Sequence, residues 1–397
     1  MEERKKKGIG LYWKILIIAG CIMAVAFALS FWPRLCDRYT DNIYPHVLSV
    51  NAHVTNLVPF AIGEILMFAG AIVLAATVIL SVVFAVRAIV LKVRGGRSPR
   101  GFRFYRIWMK CILAIVVAVA WLYLFRWWIP FRGRVLGEPE KQSTFTLEEL
   151  RYARNCMVET MNAACREQPR DADGRVIYED KEAIYETVVR AMKSLSDRFP
   201  RLRGYYGLPK EAISSDFYEW MNIGGFTFSF SMEISVNRYV SRRYFYVLSC
   251  HEAAHNKGFF KENEAEFIAF LSSLASDDPR MVCEGVFDYF WDVDDAFYYA
   301  LVDKYGEDLA DMMYFKEPQP DALLFDDYAQ AQEEAEELYA AEEHPLEEQF
   351  SEPAAEVADV GWETQDKLLA ENSYSGVTRL ILDYYAQQMR ESQKSGQ

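Results

Sequence analysis

Histidine is scarce in this chain. Only 5 occur in 397 residues, and two of them, His251 and His255, stand four positions apart. So thin a supply disfavours copper or iron centres, which more often recruit sulfur or further histidines. The 7 cysteines form no disulfide framework: Cys21 and Cys111 fall in apolar runs, and Cys156 and Cys165, nine apart on an expected helix, point to different faces. Internal repeats are missing too. No small-residue cleavage site follows the first apolar run at Phe31-Trp32-Pro33, and that run is long for a signal peptide, so a retained helix is expected. Acidic residues are sparse at the front, where residues 1–129 hold 16 Lys+Arg against 5 Asp+Glu, leaving 27 against 52 for the rest. A basic, apolar module therefore precedes an acidic, soluble one. A hydrophobic share of 51% with 15% aromatics excludes a disordered chain.

What the front does have is long apolar runs. Residues 11–32, 65–86 and 108–129 each have about the length that crosses a hydrocarbon core of roughly 30 Å, which predicts three transmembrane helices in a membrane domain of residues 1–132. Arg4, Lys5, Lys6 and Lys7 precede the first run. Lys92, Arg94, Arg97, Arg100, Arg103 and Arg106 fill the second connection without an acid among them, whereas Arg34, Asp37, Arg38 and Asp41 balance in the first. The positive-inside bias places the N-terminus in the cytoplasm and residues 133–397 outside, in a multi-pass cell-membrane protein whose Tyr123, Trp127 and Trp128 suit the interfacial aromatic belt.

Beyond the membrane the pattern is mainly helical. "TFTLEELRYARNCMVETMNAACRE" opens with Thr146 as a cap, and "KEAIYETVVRAMKSLSDRF" repeats apolar residues at three and four, so two helices joined by "QPRDADGR" are expected. In "GGFTFSFSMEISVN" apolar residues alternate from Phe226 to Val236, which reads as one half-buried strand, a core strand or one along which an extended peptide could pair. An acidic, Ala-rich insertion at about residues 330–360 reads as a solvated helix plus loop.

The chemistry concentrates in "SCHEAAHNKGFFKENEAEFIAF", within a core at about residues 200–300. On a helix, His251 and His255 share one face, where both imidazoles can hold one zinc ion, while Cys250 projects about 100° away. A third histidine is missing six residues on, where Lys261 stands, and Gly258 is the expected left-handed residue ending the helix. The third ligand should then be a carboxylate. Glu264 shares its face with Phe267, Ile268, Leu271 and Leu274, and a carboxylate on a buried stripe needs a partner as strong as a divalent metal. Glu266, which could also close a capping box with Asn263, and then Glu262 or a remote residue stay open as the ligand. Three protein ligands leave a position for water, the pattern of a catalytic zinc, and Glu252 stands beside the ligand face as a general base for amide hydrolysis. "NRYVSRRYFYVLSC" before His251 is too short and charged to be a span, which disfavours an intramembrane protease.

These residues and the spans before them resemble the bacterial membrane family known as domain of unknown function 3810, whose members look like zinc-dependent metallopeptidases of the two-histidine, one-glutamate kind. The likeness extends to "NIYPHVLSVNAHVTNLVPFAIGEILMF", "MEISVN", "HEAAHNKGF", "ENEAEFIAF" and "NSYSGVTRLILDYY". It implies His251, His255 and Glu264 as metal ligands and Glu252 as the base. Glu266 stands where the family usually has asparagine, and "FTFSFS" replaces a proline-containing pattern. The expected architecture is three transmembrane helices carrying a mainly α (α+β), zincin-like extracytoplasmic domain with a small sheet. Its expected partners are the bilayer and a peptide or protein substrate at the cell envelope, with no nucleic acid. A zinc-binding sensor or envelope-assembly protein that keeps the fold without turnover is the alternative.

Overall fold

The computed structural model describes residues 10–95, 101–134, 136, 144–369 and 376–395. Residues 4–7, Arg97 and Arg100, which carry much of the expected loop charge, lie outside the described residues, as do residues 372–375 of the closing segment. The chain is mostly helical, with one small sheet.

Three helices, Leu11–Leu29, Ile62–Val93 and Phe102–Phe131, are long and apolar enough to cross a membrane. Each coincides with an expected run, and their side chains face outward rather than into one another, as a lipid solvent allows. The first stops short of residue 32 because Pro33, well placed at a helix start, begins a new helix, Pro33–Asn42. The third carries a π turn over Leu124–Trp128, where the Ile129 N–H reaches back to the Leu124 carbonyl. Pro130, which has no N–H to give, follows directly, and the wider turn absorbs it. Between the first two spans the chain is not a plain loop but two helices, Pro33–Asn42 and Tyr44–Thr55.

Thr146 caps its helix as expected. The hydroxyl accepts from the Glu149 N–H, and the Glu149 side chain returns to the Thr146 N–H in a closed capping box. Asp180 caps the second helix, Lys181–Ser194. The longer helix, Leu147–Glu167, packs on helices Pro279–Phe287 and Phe290–Tyr305 around Met157, Met161, Val286 and Phe290, and the shorter on the motif helix, Arg242–Asn256, and on Glu262–Leu274 around Ile184, Val188, Tyr246 and Ala254.

The alternating stretch is a hairpin rather than one strand. β2 (Gly225–Phe228) turns through Ser229 to Met232 and returns as β3 (Glu233–Val236), with Phe228 opposite Glu233 and Gly225 opposite Val236. Met232 takes a positive φ of 53° to make the turn, and period-two alternation carries straight through it. β1 (Lys210–Glu211) pairs in parallel on the far side of β3, so the order is β1-β3-β2 and β2 is an edge. The acidic region holds two helices, Ala322–Ala340 and Glu347–Leu369, the second packing Phe350 against Phe217.

Buried polar groups fasten this sheet to the second span. Glu233 on the central strand accepts from the Ile62 and Gly63 N–H groups at 3.2 and 2.9 Å and from Lys210 at 2.6 Å. Glu64 accepts in turn from the Ile213 N–H at 2.7 Å and the Ser214 N–H at 3.2 Å. Both carboxylates are buried, so each depends on those donors.

Candidate metal centre

The motif helix starts at Arg242 with Ser241 as its cap and ends at Asn256. Gly258 follows at φ 93°, its N–H on the His255 carbonyl, while the Phe259 N–H reaches the Ala254 carbonyl. This left-handed ending turns the chain back, as the glycine predicted. The next helix therefore begins at Glu262 and packs against the first.

That turn settles which carboxylate meets the histidines. The Glu262 Oε2 atom lies 3.3 Å from the Nε2 atoms of both His251 and His255. Among the described residues these three are the group whose donor atoms could converge on one metal ion. Glu264, expected there, points into the protein, where its carboxylate accepts from the Leu136 N–H at 2.9 Å and from Lys261 at 3.3 Å. The apolar stripe identified a buried carboxylate with strong partners, but the partners are a backbone N–H and a lysine. The capping box of Asn263 and Glu266 does not form, because the helix starts at Glu262, two residues earlier than that box requires.

The two imidazole rings stand 4.5 Å apart and nearly perpendicular. His255 Nδ1 donates to the Phe259 carbonyl at 2.8 Å, which leaves Nε2 as the free ring nitrogen facing His251 and Glu262. Burial opposes a charge on His255, but the hydrogen bond and the negative charge of Glu262 outweigh it and raise its pKa to about 9. Glu262 is likewise opposed by burial and overcome by its bonds to His251 and His255, which hold it well below the usual carboxylate range. The trio thus holds a proton where a cation fits. Two imidazole nitrogens and one carboxylate are donors that suit zinc.

Glu252 is buried beside this trio without joining it. Its Oε2 lies 2.7 Å from the Thr227 hydroxyl, a β2 residue that the sequence did not single out. Gly225 makes the contact between strand and helix: a Cβ there would lie 3.0 Å from Glu252 Cγ and 3.1 Å from Oε1. Cys250 lies wholly in the core, its thiol raised to about 12 by burial, away from the metal face as expected.

A cavity of about 470 Å³ opens over His251, Glu252, His255 and Glu262, walled by β2 on one side and by Glu266 and Asp288 on another. Burial and then the charge of Glu262 push Glu266 up to about 7. A second cavity, about 730 Å³, shares Gly224, Tyr244 and Asp288 with the first and ends among Trp291, Phe325 and Tyr328. The opposite end of the first is closed by Trp127 and Phe260.

Residues 39–351 match the family described as protein of unknown function (DUF3810). The chain belongs to this family. No curated protein and no solved structure matches it.

Proposed function

We propose that this DUF3810 member is a membrane-bound, zinc-dependent metallopeptidase with its metal centre in an extracytoplasmic domain. One observation carries the reading: three donor atoms, from His251, His255 and Glu262, lie close enough to hold one ion, in a cavity that Glu252 also lines with a carboxylate outside that trio. This assignment replaces Glu264 by Glu262 in the ligand set. When bound, zinc supplies Lewis-acid polarisation of a carbonyl and acidifies water.

The chain's own groups supply the remainder. Glu252, oriented by the Thr227 hydroxyl, takes a proton from the attacking water and returns it to the leaving amine. β2 is an edge strand beside the centre, so its outer backbone groups can pair with an extended peptide and hold it along the cavity. The second cavity, which shares Gly224, Tyr244 and Asp288 with the first, gives that peptide further room beyond the proposed metal site. A zinc-holding sensor has no use for a base in this place.

Glu252→Gln tests the reading. The variant keeps shape and hydrogen bonding but cannot accept the proton, so bound zinc and melting temperature should match wild type while hydrolysis of a broad peptide library falls about 10²- to 10⁴-fold. Equal behaviour of the two proteins on the library and in cells would leave a zinc-binding protein without turnover. A reporter active only outside the cytoplasm, fused after residue 140, should be active and one at Pro99 silent; the reverse would put the centre inside the cell.

A further inference from the structure

The metal cavity is built on the membrane-facing base of the domain. Trp127, in the π turn ending the third span, forms part of its wall and lies 6.3 Å from Phe260, in the turn between His255 and Glu262. The turn of the β2–β3 hairpin is held between two spans: Arg126 donates to the Phe230 carbonyl, and a Cβ on Gly63 would lie 2.6 Å from the Phe228 ring. Asn51, on the helix Tyr44–Thr55, donates to the Ser231 carbonyl. That helix buries Leu48 and Ala52 against the domain and turns Val50 and Val54 outward at 68% and 59% exposure, with Leu57 just beyond at 81%. The same outer face also exposes His46 and His53, and valines and a leucine interspersed with imidazoles, beside the start of one span and the end of another, are what a segment lying in the headgroup region presents.

With the three helices in a bilayer, the cleft therefore has a near and a far end. It begins at Trp127 and Phe260 on the level of the interface, passes His251 and Glu252, and ends at Trp291, Phe325 and Tyr328. β2 runs the same course, from the hairpin turn at the spans to Gly225 beside Glu252. A polypeptide leaving the bilayer beside these spans would reach the near end of this cleft, at Trp127 and Phe260, before His251 and Glu252.

We infer that the substrate class is membrane-tethered polypeptide, cut in the stretch of chain immediately outside the bilayer; this rests on the peptidase reading. The test uses full-length protein in vesicles of phosphatidylcholine and phosphatidylglycerol together with a single-span polypeptide. A degenerate peptide cassette follows the span either directly or behind twenty prolines, a semi-rigid spacer of about 60 Å. Cuts are mapped by mass spectrometry with Glu252→Gln as the blank. The direct cassette should be cut at least about tenfold faster, because only there can tether and cleft be engaged together. Equal rates, or cutting only of the free cassette in solution, would overturn the inference and leave the peptidase reading standing. No Glu252-dependent cut in any arm would overturn both.

Discussion

Glu262 and Glu264 stand two residues apart on one helix, yet the first meets two imidazoles at a cavity while the second is enclosed by the Leu136 N–H and Lys261. The difference extends to the whole helix pair. On its core side every carboxylate has donors from the chain itself. On its cavity side the Nε2 atoms of both imidazoles face Glu262, and burial with the charge of Glu262 pushes Glu266 up to about 7. The core side is complete without a ligand; the cavity side is arranged for one.

Substitutions on the two sides should therefore separate metal binding from stability. The largest effect is expected for Glu262→Ala, which removes a proposed ligand: zinc affinity should fall by more than the roughly 10- to 100-fold that loss of an outer partner costs. The metal-free protein loses only the half-exposed ion pair of Glu262 with the histidines, a smaller effect that vanishes at high pH where His255 is neutral. Isothermal titration with zinc reads the first and calorimetry the second. Full occupancy in Glu262→Ala would erase the distinction.

Glu264→Ala should do the reverse. It leaves a Leu136 N–H without its acceptor, a loss of about 1–3 kcal/mol, and lowers the melting temperature by several degrees while zinc affinity holds. A loss of zinc equal to that of Glu262→Ala, at unchanged stability, would restore Glu264 as the ligand.

Glu266 sharpens the boundary by its pH dependence. A carboxylate whose pKa rises on folding from 4.5 to about 7 contributes stability that is complete below 4.5 and lost as pH climbs through 7. Glu266→Gln keeps the neutral shape. On chelator-treated protein its melting temperature should exceed wild type by about 1–2 °C at pH 8, with the gain gone below pH 4.5. A gain that persists at low pH would show that packing, not ionisation, is responsible.

The spans, the motif helix, the Thr146 box and the Gly258 turn were all legible because each depends on residues adjacent in sequence. The choice among three glutamates was not. Glu262 and Glu266, four residues apart, share one face of the helix and Glu264 lies on another, and which face meets the histidines depends on where the helix starts and how it docks after Gly258, a tertiary matter. The clue available was Glu262's place just after the turn, nearest the histidines. The hairpin was hidden for a related reason: its turn uses Met232 in a left-handed conformation, without the glycine or asparagine that usually marks one. Thr227 and Trp127 carry no motif at all; only the approach of β2 and of the third span to the helix pair gives them a place in the cavity.

The second span, Ile62–Val93, has 32 residues, which at 1.5 Å each is about 48 Å, well beyond a hydrocarbon thickness of about 30 Å. Its first turn is tied by Glu233 and Glu64 to the sheet and to the segment after it, so that end cannot slide. Any mismatch with a thicker or thinner bilayer must then be taken up at the other end, where Arg87, Lys92 and Arg94 can shift their level in the headgroups. With this helix across a bilayer, it would act as a fixed gauge read from one end, holding the proposed site at a constant height above the lipid whatever the thickness of the membrane beneath it.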